Sequence, residues 1–169
     1  LMISQKINNG FNGFPKIPGD KSISHRSIIL PSISNGICEV NNYLKSEDVI
    51  NTLKAFISMG VKIVEEKNKL IIFGNGLNSL QKPKKEIYLG NSGTSARLLT
   101  GLLSSQNFNS ILTGDASLSS RPMKRISEPL KKMNAKIKTN NGMMPLEIQG
   151  SELINNTIEI KVPSAQVKS

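Results

Sequence analysis

Two stretches of this 169-residue chain run through the same features in the same order. Gly19-Asp20-Lys21-Ser22-Ile23-Ser24-His25-Arg26 lies over Gly90-Asn91-Ser92-Gly93-Thr94-Ser95-Ala96-Arg97 at an offset of 71, and both run on into apolar, helix-like sequence. Met59 to Ile63 then lies over Met133 to Ile137 at an offset of 74, and Leu70 to Gly74 over Leu146 to Gly150 at 76. Self-similarity at a fixed period means that each copy is one supersecondary unit, and it restricts the chain to folds built by repeating that unit. Each copy reads as a strand, a Gly/Ser-rich turn, a helix, a strand, a second helix and two short strands, a βαβαββ unit of an α/β fold. The units cover about 16–85 and 86–157, and a third is expected to begin near 158. There Ile158 to Val162 alternates like a strand, and Pro163 to Ser169 echoes Pro18 to Ser22. A helix start with no helix behind it, together with Leu1 ahead of Met2, leads to the expectation that the chain is a fragment.

Within the first copy, Val49, Ile50, Leu53, Phe56 and Ile57 recur at helical spacing behind Ser46, with Glu47 and Asp48 in the first turn, and Gly60 ends the run. The matching stripe in the second copy is Met123, Ile126, Leu130 and Met133. Pro129 lacks an N–H and is expected to kink that helix or delay its start.

Composition decides what such a fold can bind. The 22 basic residues outnumber the 12 acidic ones, giving a net charge of +10, which suits nucleic acid or small anions. Tryptophan is absent and aromatics are 4% of the chain, so the platforms on which single-stranded bases stack are missing, and no nucleic-acid partner is expected. Lysine supplies most of the charge. The arginines, Arg26, Arg97, Arg121 and Arg125, fall in or beside Gly/Ser/Thr-rich segments, where a planar fork grips phosphate or carboxylate bidentately and a point charge does not. Cys38, the single cysteine, cannot form an internal disulfide and reads as a buried small residue in a strand. With one histidine, His25, the chain has no soft-ligand cluster for structural zinc. Its apolar runs are short and no charged-then-apolar leader precedes them, so a soluble cytoplasmic protein without a membrane partner is expected.

A Gly/Ser/Thr turn feeding a helix presents free N–H groups and the positive end of the helix dipole, which together seat anions. Both copies have one. Lys21 and Arg26 add charge to the first, and Ser22, Ser24 and Thr94 add hydroxyl donors, although Ser22 or Thr94 taken singly reads as a helix cap. The Gly and Lys spacings match neither a Walker loop nor a dinucleotide fingerprint.

Pro18 to Arg26, Gly90 to Arg97, Leu112 to Asp115 with Arg121-Pro122, and Pro163 to Ser169 resemble, in order, the signature segments of the 5-enolpyruvylshikimate-3-phosphate synthases. Members of that family are more than twice this long, so the resemblance covers an N-terminal portion. It implies an inside-out α/β barrel domain made of three βαβαββ units, of which two and the opening of a third are here. Residues 1–20 would then carry a strand that packs with a second domain, and 21–169 the partial first domain. The reaction implied is enolpyruvyl transfer from phosphoenolpyruvate to the 5-hydroxyl of shikimate 3-phosphate, with release of phosphate, no metal or organic cofactor, and a monomer when complete. Carried over by position, Lys21 is the catalytic residue and touches both substrates. Ser22, Arg26, Ser164 and Ala165 contact shikimate 3-phosphate, Gly93 and Arg121 contact phosphoenolpyruvate, and Gln166 lies between the two. Asn91, Thr94 and Arg97 read as supports of the loop and His25 as a structural hydrogen-bonding residue. The family's acid and base carboxylates belong to the other domain, so the fragment holds a half-site.

Two alternatives stand beside this one. The enolpyruvyl transferases acting on UDP-N-acetylglucosamine share the fold, but carry Lys-Asn in the first signature and a reactive cysteine near the segment matching Ala116 to Arg121. This chain has Lys21-Ser22 and no cysteine there. A non-catalytic anion-binding module that keeps the half-site is the other.

Overall fold

A computed structural model describes residues 13–67, 69–159 and 165–168. The first unit consists of α1 (Lys21–Ile33), β1 (Asn35–Asn41), α2 (Glu47–Ser58), β2 (Lys62–Glu66) and β3 (Lys69–Asn75). After a short 3-10 turn, Leu77–Ser79, the second unit follows: β4 (Ile87–Tyr88), α3 (Gly93–Ser104), β5 (Asn109–Thr113), α4 (Ala116–Ser119), α5 (Lys124–Lys132), β6 (Lys136–Asn140) and β7 (Met143–Gln149). A final turn of helix, α6 (Ala165–Lys168), lies beside α3.

Each unit forms its own sheet. The first has strand order β1-β3-β2, all antiparallel; the second has β5-β7-β6 in the same arrangement, plus β4 parallel to β5 at the outer edge. Alternation sets the faces. Leu70 and Ile72 of β3 and Met144, Leu146 and Ile148 of β7 point inward, where α1 covers β3 and α3 covers β7. The core runs through Ile28, Val49, Phe56, Leu99, Leu103 and Leu112, all fully buried, and each contributes about 2 kcal/mol by leaving water.

The change of offset from 74 to 76 has a local cause. Lys62 pairs with Phe73 and Glu66 with Lys69, but in the second hairpin Lys136 pairs with Gln149 while Asn140 pairs with Met143. Two extra residues on β7 are absorbed by an irregularity at Thr139/Asn140, where Pro145 has no N–H to withdraw from the ladder. Asn141 and Gly142, both at positive φ, close that hairpin in the two-residue turn that Asn-Gly favours.

The second helices end alike. Gly60 N–H reaches the Ile57 carbonyl and Val61 N–H the Phe56 carbonyl; Asn134 and Ala135 make the same two bonds to Lys131 and Leu130. Gly60 (φ 88°) and Asn134 (φ 73°) take the left-handed position of this cap, which Gly adopts freely and Asn tolerates. Measured from that shared end, α5 begins one turn later than α2 and keeps Pro129 inside it.

Several expectations are corrected. Asp20 and Ser92 are the N-caps of α1 and α3, accepting from the N–H groups of Ile23 (2.8 Å) and Ser95 (3.2 Å); Ser22 and Thr94 sit inside the first turn. The caps therefore align at an offset of 72, and Lys21 lies over Gly93 and not over Ser92. Cys38 is half-buried, because its strand, at the edge of a three-stranded sheet, has little covering its end. Ile57 is exposed, on the flank of the α2 stripe. Residues 14–20 form no strand, and Phe14 and Ile17 are exposed; the leading strand expected in 1–20 otherwise lies outside the described residues. Ile158 and Glu159 are not in a strand, and the remainder of that expected strand is outside the described residues.

Candidate anion-binding cleft

Where the two units meet, Lys21, Asp48, Asn91, Gly93, Thr94, Arg97 and Arg121 line one polar cleft of about 290 Å³. Three local devices put them there. The Asp20 cap starts α1 so that Lys21 is its first residue, and the Ser92 cap does the same for Gly93 in α3. Asp115 caps α4 by accepting the Leu118 N–H at 2.7 Å, and the Arg121 guanidinium donates to Ser117 Oγ at 3.1 Å, so the short helix holds that side chain. The α3 turn is fastened to the same strand end: Leu89 N–H donates to the Thr113 carbonyl and Asp115 N–H to the Gly90 carbonyl, both at 2.9 Å.

Gly93 faces the cations. A Cβ built on it would stand 3.2 Å from an Arg121 guanidinium nitrogen and 3.4 Å from one of Arg97, so the missing side chain is part of the cleft's space. Burial, then Arg125 and Arg121, lower the pKa of Arg97 from its ordinary value, since three guanidiniums gathered at one place repel. An anion in the cleft relieves that repulsion. Lys21, about half-exposed, is held in an ion pair by Asp48, whose side chain is 10% exposed.

Beneath the cleft, His25 is fully buried and its Nδ1 lies 2.9 Å from Thr52 Oγ1. Its pKa falls to about 4, principally through burial; Asp48 opposes the shift, and Lys21 and Arg26 add to it.

The expected site residues divide into three groups. Lys21, Gly93 and Arg121 come together in the cleft, and so do Asn91, Thr94 and Arg97, read above as loop supports. Ser22 and Arg26 lie on α1 outside the cleft lining, with an Arg26 guanidinium nitrogen 3.4 Å from the Ser22 carbonyl. Ser164 is outside the described residues; Ala165 and Gln166 belong to α6, and only their backbone is described. Asp48 went unread as a site residue. Its only local signal was acidity in a helix first turn, which the dipole already explains, while its partner is 27 positions away. Three larger hollows, about 580, 800 and 350 Å³, lie by β6/β7, by the β2–β3 turn and between residues 82–86 and β5, and contain none of the expected site residues. Among the described residues no set of His, Cys, Asp and Glu is grouped to hold a metal ion, and no helix is long and apolar enough to cross a membrane.

The family model for EPSP synthase (3-phosphoshikimate 1-carboxyvinyltransferase) matches residues 6–169, nearly the whole chain. The chain belongs to the EPSP synthase family. The 3-phosphoshikimate 1-carboxyvinyltransferase of Ruthia magnifica is 52% identical over 165 residues, which is 97% of this chain and 38% of that protein. The enzyme of the same name from Oenococcus oeni is 46% identical over 99% of this chain and 39% of its own length. The solved EPSP synthase from Acinetobacter baumannii superposes with a TM-score of 0.89 at 47% identity, covering 92% of this chain and 36% of the other. The chain thus spans somewhat more than a third of the EPSP synthases it matches. The repeated α/β units described above are the fold of this family's members.

Proposed function

We propose that this segment supplies one wall of an enolpyruvyl transfer site, in which the enol carbon of phosphoenolpyruvate is joined to the 5-hydroxyl of shikimate 3-phosphate and phosphate leaves. The observation that carries the reading is the single cleft in which the helix-opening turns of both repeats converge with Lys21, Arg97 and Arg121. Both substrates are anions. A guanidinium pair over a helix N-terminus neutralises carboxylate and phosphate, and neutralisation of the departing phosphate lowers the barrier to its expulsion.

In this reading Gly93 and Arg121 meet phosphoenolpyruvate, Ser22 and Arg26 meet shikimate 3-phosphate, Lys21 touches both and is the catalytic residue, and Ser164, Ala165 and Gln166 complete the shikimate-phosphate side. Asn91, Thr94 and Arg97 shape the donor's side. Acid-base chemistry calls for carboxylates that can take up and give back a proton. The cleft offers Asp48 alone among the described residues, already engaged with Lys21. The chain by itself is accordingly expected to bind without turning over, and the same reading makes the complete protein a cytoplasmic monomer.

Gly93→Ala tests it. The helix start accepts alanine and stability is kept, but the methyl group intrudes beside two guanidiniums. Calorimetric affinity for phosphoenolpyruvate should fall by about tenfold, with shikimate 3-phosphate less affected. Unchanged donor affinity with raised thermal stability would mean that Gly93 only opens a helix.

A further inference from the structure

Four hydroxyl and imidazole groups buried under the cleft form one connected set. Thr52 Oγ1 on α2 lies 2.9 Å from His25 Nδ1 on α1, 2.7 Å from Ser95 Oγ on α3 and 3.2 Å from the Asp48 carbonyl; Ser95 Oγ lies 2.6 Å from Ser92 Oγ, the cap of α3. Ser95 Oγ also lies 3.5 Å from His25 Nδ1. A hydroxyl has one proton and two lone pairs, and along the shorter contacts one arrangement gives every proton of the set an acceptor. Thr52 donates to the Asp48 carbonyl and accepts from both His25 Nδ1–H and Ser95 Oγ–H. Ser92 donates its hydroxyl proton to Ser95 Oγ and accepts the Ser95 N–H. That assignment puts a proton on His25 Nδ1, and full burial with no acceptor for a second proton keeps the ring neutral. Its Nε2, buried and with no hydrogen-bond partner among the described residues, is then a lone pair and not a stranded donor.

The set touches the cleft at two points. Asp48, whose carbonyl takes the Thr52 proton, holds Lys21 with its carboxylate, and Ser92, at the other end, caps the helix that begins at Gly93. We infer that Thr52 is a positioning residue, the node through which α1, α2 and α3 fix the separation of Lys21 and Gly93 across the cleft. Thr52 is fully buried and lines no part of the cleft, so it acts only through the groups it orders. The inference rests on the reading of the cleft as an anion site.

The test compares Thr52→Val, which keeps the shape and deletes the node, with Thr52→Ser, which keeps the hydroxyl. Phosphoenolpyruvate and inorganic phosphate are titrated into the whole 169-residue chain, well below each variant's melting temperature. Thr52→Val should bind phosphoenolpyruvate about tenfold more weakly, Thr52→Ser within about twofold of the parent. Nitrogen–proton correlation spectra should place the His25 proton on Nδ1 in the parent and in Thr52→Ser only. Parent-like affinity in Thr52→Val, or an equal loss in both variants, overturns the inference, since a merely stabilising hydroxyl shifts the melting temperature and leaves affinity below it intact. If the parent binds neither probe, the anion reading has failed, and the node is judged on the His25 tautomer and on amide protection from Gly93 to Ala96. Changes in Thr52→Val alone uphold it; none refute it. Should Thr52→Val not fold, Ser95→Ala, which removes a donor to Thr52, takes its place under the same criteria.

Discussion

The helices that open the two units, α1 and α3, start from the same kind of cap, pack against the same kind of strand, and use their fifth residues for opposite ends. In α1 that residue is His25, turned inward, fully buried and kept neutral; in α3 it is Arg97, which lines the cleft. The surrounding faces differ in step with this. β1 and β3 turn Ile37, Ile71 and Phe73 outward, whereas the corresponding outward positions of β5 and β7 are Asn109, Glu147 and Gln149. A duplicated unit keeps whatever its backbone geometry demands, while side chains that only meet the neighbouring unit or solvent are at liberty to diverge. The cleft takes its character from that divergence: the first copy places a buried histidine beneath it and the second supplies most of the cations in it.

The largest effect expected concerns what the copies share. A Cβ on Gly74 would stand 2.1 Å from the Pro31 carbonyl oxygen, and one on Gly150 2.0 Å from that of Gln106, each where a sheet strand passes the end of the unit's first helix. Backbone cannot give as a side chain does, so Gly74→Ala and Gly150→Ala should each destabilise by about 3 kcal/mol in chemical denaturation. A tolerated alanine at one position and not the other would show that the units do not share this crossing.

Next comes a difference between the copies. The His25 pKa is depressed to about 4 from an ordinary 6.5, so protonation favours the unfolded chain. Its contribution is complete above about pH 6.5 and is lost as pH falls toward 4, a loss on the order of 2 kcal/mol after allowance for relaxation. In His25→Asn that part of the acid sensitivity should disappear from stability–pH curves. The same curves for Arg97→Gln should keep it, and identical slopes in parent and His25→Asn would remove His25 from the comparison.

The smallest effect sharpens the helix-end equivalence. Gly60→Asn should cost only a few tenths of a kcal/mol and Asn134→Gly should be near neutral, while Gly60→Ala costs about 1 kcal/mol. Thermal melts of the three decide whether one cap serves both copies, and a Gly60→Asn as damaging as Gly60→Ala would separate them.

The order of elements from α1 to β3, most of the α2 stripe, the Gly60 stop and the two Gly/Ser/Thr turns that open helices were legible in the sequence, because each depends on bonds or spacings within about four residues; the repeat was legible as likeness between distant segments. Lys21, Gly93 and Arg121, singled out through the resemblance to the family's signature segments, all line the one cleft. Tertiary structure alone decided the rest. Which residue capped each helix turned on a one-residue difference between the turns, and the change of offset on an irregularity in strand pairing. Asp48 reached the cleft only because α2 lays its first turn against α1. Thr52, Ser95 and His25 look like ordinary helix residues until three helices bring them within hydrogen-bonding distance. Local hydrogen bonding is written in neighbouring residues, but the face an element presents to another is set by packing over the whole chain, and here that packing assembled the cleft.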